Sequence, residues 1–298
     1  MATIIECVPN FSEGRNRAVL TALEQTAKSV PGVSLLDFSG DKSHNRSVYT
    51  LVGSPKGIEE AAFALCKTAC ELIDLRHHSG EHPRMGATDV IPFIPLSGAT
   101  MEQCVQLSKR VGERIYEELK IPVYLYEESA CAEYRRNLAS VRRGEFEGLR
   151  EKMKNPDWVP DFGNAPHISA GAVAVGARAP LIAFNINLDT PDKNIASEIA
   201  KTIRFSSGGY KYCKAIGVFL EGKNAAQVSI NMTNYAETPL YRIFNAVAAE
   251  AERRGVKIIG SEIIGLSPAR ALIDSAVHYL KLDGFDADKQ VLDFRIGE

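Results

Sequence analysis

The sequence predicts an α/β (α+β) chain of two sandwich units, each running strand, helix, strand, strand, helix, strand. Short apolar segments alternate with longer segments of helical period as far as Tyr126. The same order of elements returns from Leu181 onward, as a repeat of order and not of residues. Between the two runs a loop-rich stretch, Pro160 to Ala179, which sets the division at residues 1–178 and 179–298.

Thr3 to Val8 reads as a strand, and Pro9-Asn10-Phe11-Ser12-Glu13-Gly14 as a turn. A helix from about Asn16 to Ser29 carries Val19, Leu20, Leu23 and Thr26 near one face, and Pro31-Gly32 ends it. Val33 to Phe38 and Arg46 to Val52 are strands on either side of a polar turn, Ser39 to Asn45. Pro55 to Leu75 is a long helix with Ile58, Ala61, Ala62, Leu65, Ala69 and Leu72 at helical spacing. Pro55 suits its first turn, where a missing N–H costs nothing. Val90 to Pro95 is a buried strand, Met101 to Leu119 a helix and Val123 to Tyr126 a strand. Residues 130–157 read as charged, helical and peripheral.

In the second unit, Leu181 to Leu188 is a strand and Lys193 to Phe205 a helix. Lys214 to Leu220 and Gln227 to Met232 are strands across the turn Glu221-Gly222-Lys223-Asn224. Leu240 to Arg254 is a helix, Val256 to Ile259 a strand and Ala269 to Leu280 the last helix. Each unit thus has the split βαβ, ferredoxin-like order, with an antiparallel or mixed sheet and helices on one face. Two such sandwiches place a ligand cleft between them, since domain interfaces are favoured ligand sites.

The composition is that of an ordinary globular protein, with 45% hydrophobic and 24% charged residues in 298. A net charge of -2 supplies no bulk basic field, so nucleic acid is not an expected partner. No segment approaches the roughly 20 apolar residues of a membrane span. Met1-Ala2-Thr3-Ile4-Ile5-Glu6 lacks the basic and apolar regions of a secretory signal, and the six cysteines are dispersed. A cytoplasmic protein with reduced cysteines is expected.

The chemistry concentrates in Arg76-His77-His78-Ser79-Gly80-Glu81-His82-Pro83-Arg84-Met85-Gly86-Ala87-Thr88-Asp89, which holds three of the six histidines. A run this polar is a loop that presents side chains, and histidine is the side chain suited to moving protons near neutral pH. His78 and His82 stand four apart, as in helical zinc sites, but Gly80 and Pro83 oppose a continuous helix there. No metal is expected. His82, beside Glu81 and backed by Pro83 and Arg84, is the candidate acid/base; the competing reading is a loop hydrogen bond. Asn10, in a turn that opens a helix, either caps that helix or joins an anion site. Asp37 and Asp41 bracket the end of a strand near His44, Asn45 and Arg46, where an acid either orients a histidine or serves the turn. The loop Gly163-Asn164-Ala165-Pro166-His167-Ile168-Ser169-Ala170-Gly171 lies at the unit junction, as ligand lining or as linker. Asn185 and Asn187 share one strand face, and Gln227, Ser229 and Asn231 share another, either as internal networks or as a face lining the cleft. No G-x-G-x-x-G, G-x-x-x-x-G-K-[ST] or G-x-S-x-G run is present.

Seven ordered motifs then carry a resemblance. Glu6-Cys7-Val8-Pro9-Asn10-Phe11-Ser12-Glu13-Gly14, Asn45-Arg46-Ser47-Val48-Tyr49-Thr50 and Gly80-Glu81-His82-Pro83-Arg84-Met85-Gly86-Ala87 are three of them. Pro122-Val123-Tyr124-Leu125-Tyr126, Pro160-Asp161-Phe162-Gly163, Ala183-Phe184-Asn185-Ile186-Asn187-Leu188 and Ala226-Gln227-Val228-Ser229 complete the set. To about residue 282 the chain resembles the formiminotransferase domain of formiminotransferase-cyclodeaminase. The resemblance implies a homodimer and two subdomains facing across a folate channel. It implies transfer of a formimino group from N-formimino-L-glutamate to tetrahydrofolate, taken as co-substrate and including its polyglutamylated forms, in histidine breakdown. The family's catalytic histidine falls on His82 and its folate-lining segment on Gly163 to Ala172, where the run here is about one residue shorter. The family pattern also has an acid two residues after the position of Asp37, where this chain has Ser39. With no cyclodeaminase region, a separate enzyme is expected to take the product. Arg46, Arg84, Lys211 and Arg204 are the candidates to meet the carboxylates of both substrates.

Overall fold

The computed structural model describes residues 3–42, 44–80 and 82–296. They form two compact units, one ending at Arg178 and the other beginning at Ala179. Unit 1 contains, in order, β1 (Ile5–Cys7), β2 (Asn10–Phe11), α1 (Arg17–Ser29), β3 (Val33–Asp41), β4 (Arg46–Gly53), α2 (Pro55–Leu72) and β5 (Thr88–Pro95). It continues with α3 (Met101–Leu119), β6 (Val123–Glu127), α4 (Leu138–Arg142), α5 (Glu145–Lys152) and β7 (Val173–Ala177). Unit 2 contains β8 (Ile182–Leu188), α6 (Lys193–Ile203), β9 (Cys213–Leu220), β10 (Ala225–Met232), α7 (Leu240–Arg253), β11 (Ile258–Ile264) and α8 (Ala269–Leu280).

In unit 1 the strands run across the sheet as β3, β4, β1 with β2, β5, β7, β6. The first four positions are the ferredoxin-like order, and the parallel strands β7 and β6 extend it. Asn10-Phe11 is a strand, not the predicted turn. Pro9 interrupts the ladder, and the chain resumes pairing with Asn10 opposite both Val48 and Val90. Helices α1, α2 and α3 bury one face of this sheet through residues such as Leu23, Ile58, Leu65, Val111 and Ile115, all fully buried. Their starts follow from local chemistry. Asn16 accepts the Ala18 N–H, Ser54 accepts the Gly57 N–H, and Thr100 with Gln103 forms a reciprocal capping box.

Two features of unit 1 depart from the sequence reading. Strand β7 was not anticipated, because a parallel strand buried on both faces shows no alternation to read. Residues 130–157 are not peripheral: Val141, Leu149 and Met153 form a second core with Tyr124, Tyr126, Val90 and Met85 on the other face of the sheet.

Unit 2 is a four-stranded antiparallel sheet in the order β11, β8, β10, β9, again the ferredoxin-like order. Ile182, Ile186, Leu188, Val228 and Ile230 pack against Ile199 and Ile203 of α6 and Ile243 and Val247 of α7. Strand β11 runs five residues beyond its predicted end at Ile259, to Ile264. Among the described residues, no helix is long and apolar enough to cross a membrane.

Candidate active site

The site grows from a fault in the sheet. Asn10 pairs with Val90 but Phe11 pairs with Thr88, so Asp89 is the extra residue of a bulge. A bulge re-aims a side chain. Here it buries the Asp89 carboxylate completely, at the start of an otherwise apolar strand. Such a charge needs partners, and it has three. Its Oδ1 accepts the Met85 N–H at 2.9 Å. Its Oδ2 accepts from Arg46 Nη1 at 2.9 Å and from Arg142 Nε at 2.8 Å, with Arg142 Nη2 at 2.6 Å. Burial alone pushes the Asp89 carboxyl up, but Arg142, Arg46 and the Met85 N–H outweigh it and hold the group below its ordinary range.

Arg46 links this carboxylate to the histidine loop. Its Nε and Nη2 donate to Asn10 Oδ1 at 3.1 and 2.9 Å, and its Nη1 lies 3.3 Å from His82 Nδ1. Asn10 therefore holds Arg46 and does not cap α1. The same His82 nitrogen lies 2.7 Å from the Pro83 carbonyl oxygen. A carbonyl only accepts, so this shorter contact assigns the ring proton to Nδ1 and the lone pair to Nε2; the longer approach of Arg46 Nη1, itself a donor, is then a charge contact and not a hydrogen bond. Burial, then the Arg46 and Arg142 guanidiniums, push the ring's pKa down from 6.5 to about 4. His82 at neutral pH is thus a neutral imidazole with Nε2 as its base.

The expected orienting acid is corrected here. Asp41 is committed to His44, accepting its backbone N–H at 2.8 Å and lying 3.0 Å from its Nδ1. Asp37 sits on β3 opposite Thr50. At the His82 nitrogen that an acid would orient, the structure places a backbone carbonyl. His44 stands edge-on to His82, with ring centroids 6.2 Å apart.

Arg84 is also corrected. Its guanidinium is 9% exposed and donates to Glu147 at 2.6 and 2.9 Å and to Glu145 at 3.1 Å, so it is committed within the fold. Its Nε donates to His78 Nδ1 at 3.2 Å, and His78 Nε2 contacts the Asn45 carbonyl at 3.1 Å. Glu81 lies outside the described residues.

The structure brings the histidine loop and the segment 163–172 together, although they are distant in sequence. Leu75 N–H donates to Ser169 O, Ala87 N–H to Ala170 O and Ala172 N–H to Met85 O, at 2.9, 3.0 and 3.0 Å. His167 closes a small turn within the segment, its Nδ1 accepting the Ala170 N–H at 3.0 Å. Gly163, Asn164, Ala165 and Pro166 lead into it, and Ile168 projects with 72% exposure. The backbones approach so closely that a Cβ on Gly86 would stand 2.0 Å from Ala172 O, and one on Gly171 would stand 2.2 Å from Met85 O. Gly86→Ala is accordingly expected to cost about 3 kcal/mol or more by overpacking, read as a fall in urea midpoint at unchanged slope.

A family model for the formiminotransferase domain, N-terminal subdomain, matches residues 4–178, and one for the formiminotransferase domain matches residues 183–292. The chain belongs to the formiminotransferase family. A Streptococcus pyogenes serotype M1 relative named glutamate formimidoyltransferase is 59% identical over 98% of each chain. One of the same name from Thermoplasma acidophilum is 48% identical over 95% of this chain and 94% of its own. The rat formimidoyltransferase-cyclodeaminase is 46% identical over 94% of this chain, which spans 53% of the rat protein.

Within this formiminotransferase, unit 2 carries its own polar row. Gln227 Nε2 donates to Asn187 Oδ1 at 2.8 Å and to Glu262 Oε1 at 2.9 Å, and Asn185 Oδ1 accepts the Ile230 N–H at 3.3 Å. The amides thus form a network on the sheet face opposite α6 and α7. Arg204 donates from Nε to Ser207 just after α6, and Lys211 lies over the Tyr212 ring at 4.8 Å. Sequence reasoning missed Asp89, Arg142 and Glu262. Asp89 had a legible signal, an acid opening an apolar strand; Arg142, in a run of charges, had none. Among the described residues no group of three or more His, Cys, Asp or Glu converges as metal ligands would.

Proposed function

We propose that the chain is a glutamate formimidoyltransferase, moving the formimino group of N-formimino-L-glutamate to N5 of tetrahydrofolate in histidine degradation. The observation that carries this reading is the full-length likeness to a relative of that name. His82 is the acid/base. The N5 lone pair adds to the amidine carbon while the carbon–nitrogen π pair moves to the formimino nitrogen. The N5 proton passes to His82 Nε2. It is then delivered to the glutamate nitrogen, which leaves with the carbon–nitrogen bond pair as the formimino double bond re-forms. No covalent enzyme intermediate is required, and holding both substrates in register supplies much of the rate.

In this reading tetrahydrofolate, including its polyglutamylated forms, lies along residues 163–172, and Ile168 supplies apolar contact for it. The working protein is a cytoplasmic homodimer. Purified protein assayed with tetrahydrofolate and formiminoglutamate, formylglutamate or formiminoglycine is expected to turn over the first fastest. A higher kcat/KM with either other donor overturns the assignment of the donor, and inactivity with all three overturns the reading.

A further inference from the structure

Two guanidiniums share one carboxylate oxygen beside His82. Arg46, Arg142 and Asp89 are 10%, 14% and 0% exposed, and among the described residues of this cluster two cations against one anion leave a single positive charge. Asn10 is neutral, and the neighbouring Arg84 has its own carboxylates in Glu145 and Glu147. Arg142 spends Nε and Nη2 on Asp89, while its Nη1 has no hydrogen-bond partner among the described residues. A cationic pair held rigidly by a buried acid, with donors to spare, is suited to a carboxylate.

We propose that Arg46 and Arg142, held together by Asp89, form a carboxylate receptor beside His82, and that its occupation by the glutamate donor turns His82 from a base into an acid during the reaction. The proposal rests on the reading that the donor is an N-acylated glutamate. Asp89 is a positioning residue in it, since it acts through the two arginines.

The charge balance gives the reason. The excess cation, added to burial, keeps the ring neutral. Among the described residues, the groups facing the ring are Arg46 on β4, Asp89 on β5, Arg142 on α4 and His44 on the β3–β4 turn with its partner Asp41 at the end of β3. An incoming carboxylate cancels the excess charge at short range, which lifts the ring's affinity for a proton by roughly one to two pH units. The base that accepts the N5 proton is then able to hold it until the glutamate nitrogen leaves. A donor without the matching carboxylate would bind and still leave the ring a weak proton carrier.

The test reads the ring directly. Histidine-labelled full-length protein is titrated by NMR with and without saturating L-glutamate, the proposed leaving product, and His82→Gln identifies the resonance. The midpoint near 4 in free protein is expected to rise by about one unit or more with glutamate. In Arg142→Gln it is expected to start higher, because a cation is gone, and to respond little to glutamate. Arg142→Lys, which keeps the charge, is expected to restore the response and guards against a folding defect. No rise with glutamate, or an equal rise in Arg142→Gln, overturns the receptor. Absence of formimino transfer in a protein whose His82 does respond would instead overturn the function proposed above.

Discussion

Replacement of His82 by alanine is expected to lower kcat by roughly 10²–10⁴-fold, the usual worth of a positioned acid/base, while tetrahydrofolate affinity changes little. The ring has one nitrogen committed to the Pro83 carbonyl and the other carrying its lone pair, so its removal takes away proton transfer without emptying the rest of the site. Arg46 and Arg142 stay anchored on Asp89 in the variant. The activity left is what proximity alone supplies. Steady-state assays at saturating donor, with folate affinity from calorimetry, separate the two effects. An unchanged kcat ends the assignment of His82. A kcat loss accompanied by an equal loss of folate affinity reassigns it to binding.

The largest stability effect is expected at Asp89. Asp89→Ala leaves two guanidiniums facing one another at 10% and 14% exposure, and leaves the Met85 N–H without its acceptor. Breaking a buried ion pair by removing one partner typically costs about 3–5 kcal/mol. Urea unfolding is expected to show that loss, and Asp89→Asn, which keeps an acceptor for Met85, a smaller one. A loss under about 1 kcal/mol for Asp89→Ala would mean that the cluster relaxes into solvent, contrary to the burial described.

The pH dependence of the wild type has a definite sign. The His82 pKa is depressed in the folded state, to about 4. Between its unfolded value of roughly 6.5 and that point, the unfolded chain binds the extra proton, so stability falls as pH falls. Asp89, held below its ordinary range, adds a further loss as pH drops below the usual carboxylate values. Asp89→Ala is expected to flatten the second phase in a series of melting curves.

Much of this was legible in the residues, and unevenly so. Amphipathic helices such as Met101–Leu119, with its capping box, and Ala269–Leu280, which follows Pro268, were readable to their ends, because period and helix-start signals are local. The His82 loop was readable because a polar, glycine-punctuated run has no structural use in a core. Strand β7 was opaque: its residues are apolar on both faces, and its identity as a strand depends on neighbours that lie far away in the chain. Arg142 was opaque for the same reason, since an arginine next to Arg143 in a charged stretch looks solvated until Asp89 is placed beside it. Asp89 was overlooked because Asp41 lies in a turn beside His44, Asn45 and Arg46 in the sequence, whereas the aim of Asp89 at Arg46 depends on a one-residue bulge.

The position of β7 has a consequence for how the molecule is made. It is the last strand of its unit to emerge, yet it lies between β5 and β6, both synthesised earlier. In the folded sheet it holds those two strands about two strand spacings apart, near 10 Å. The segment just before β7 bonds to Met85 and Ala87, so those contacts wait on the part of the chain that leads into β7. Long-range parallel pairing of this kind is slow. The packing of the His82 loop is thus completed late in folding, and a nascent chain halted before Ser169 would carry His82 without the backbone contacts that hold its loop.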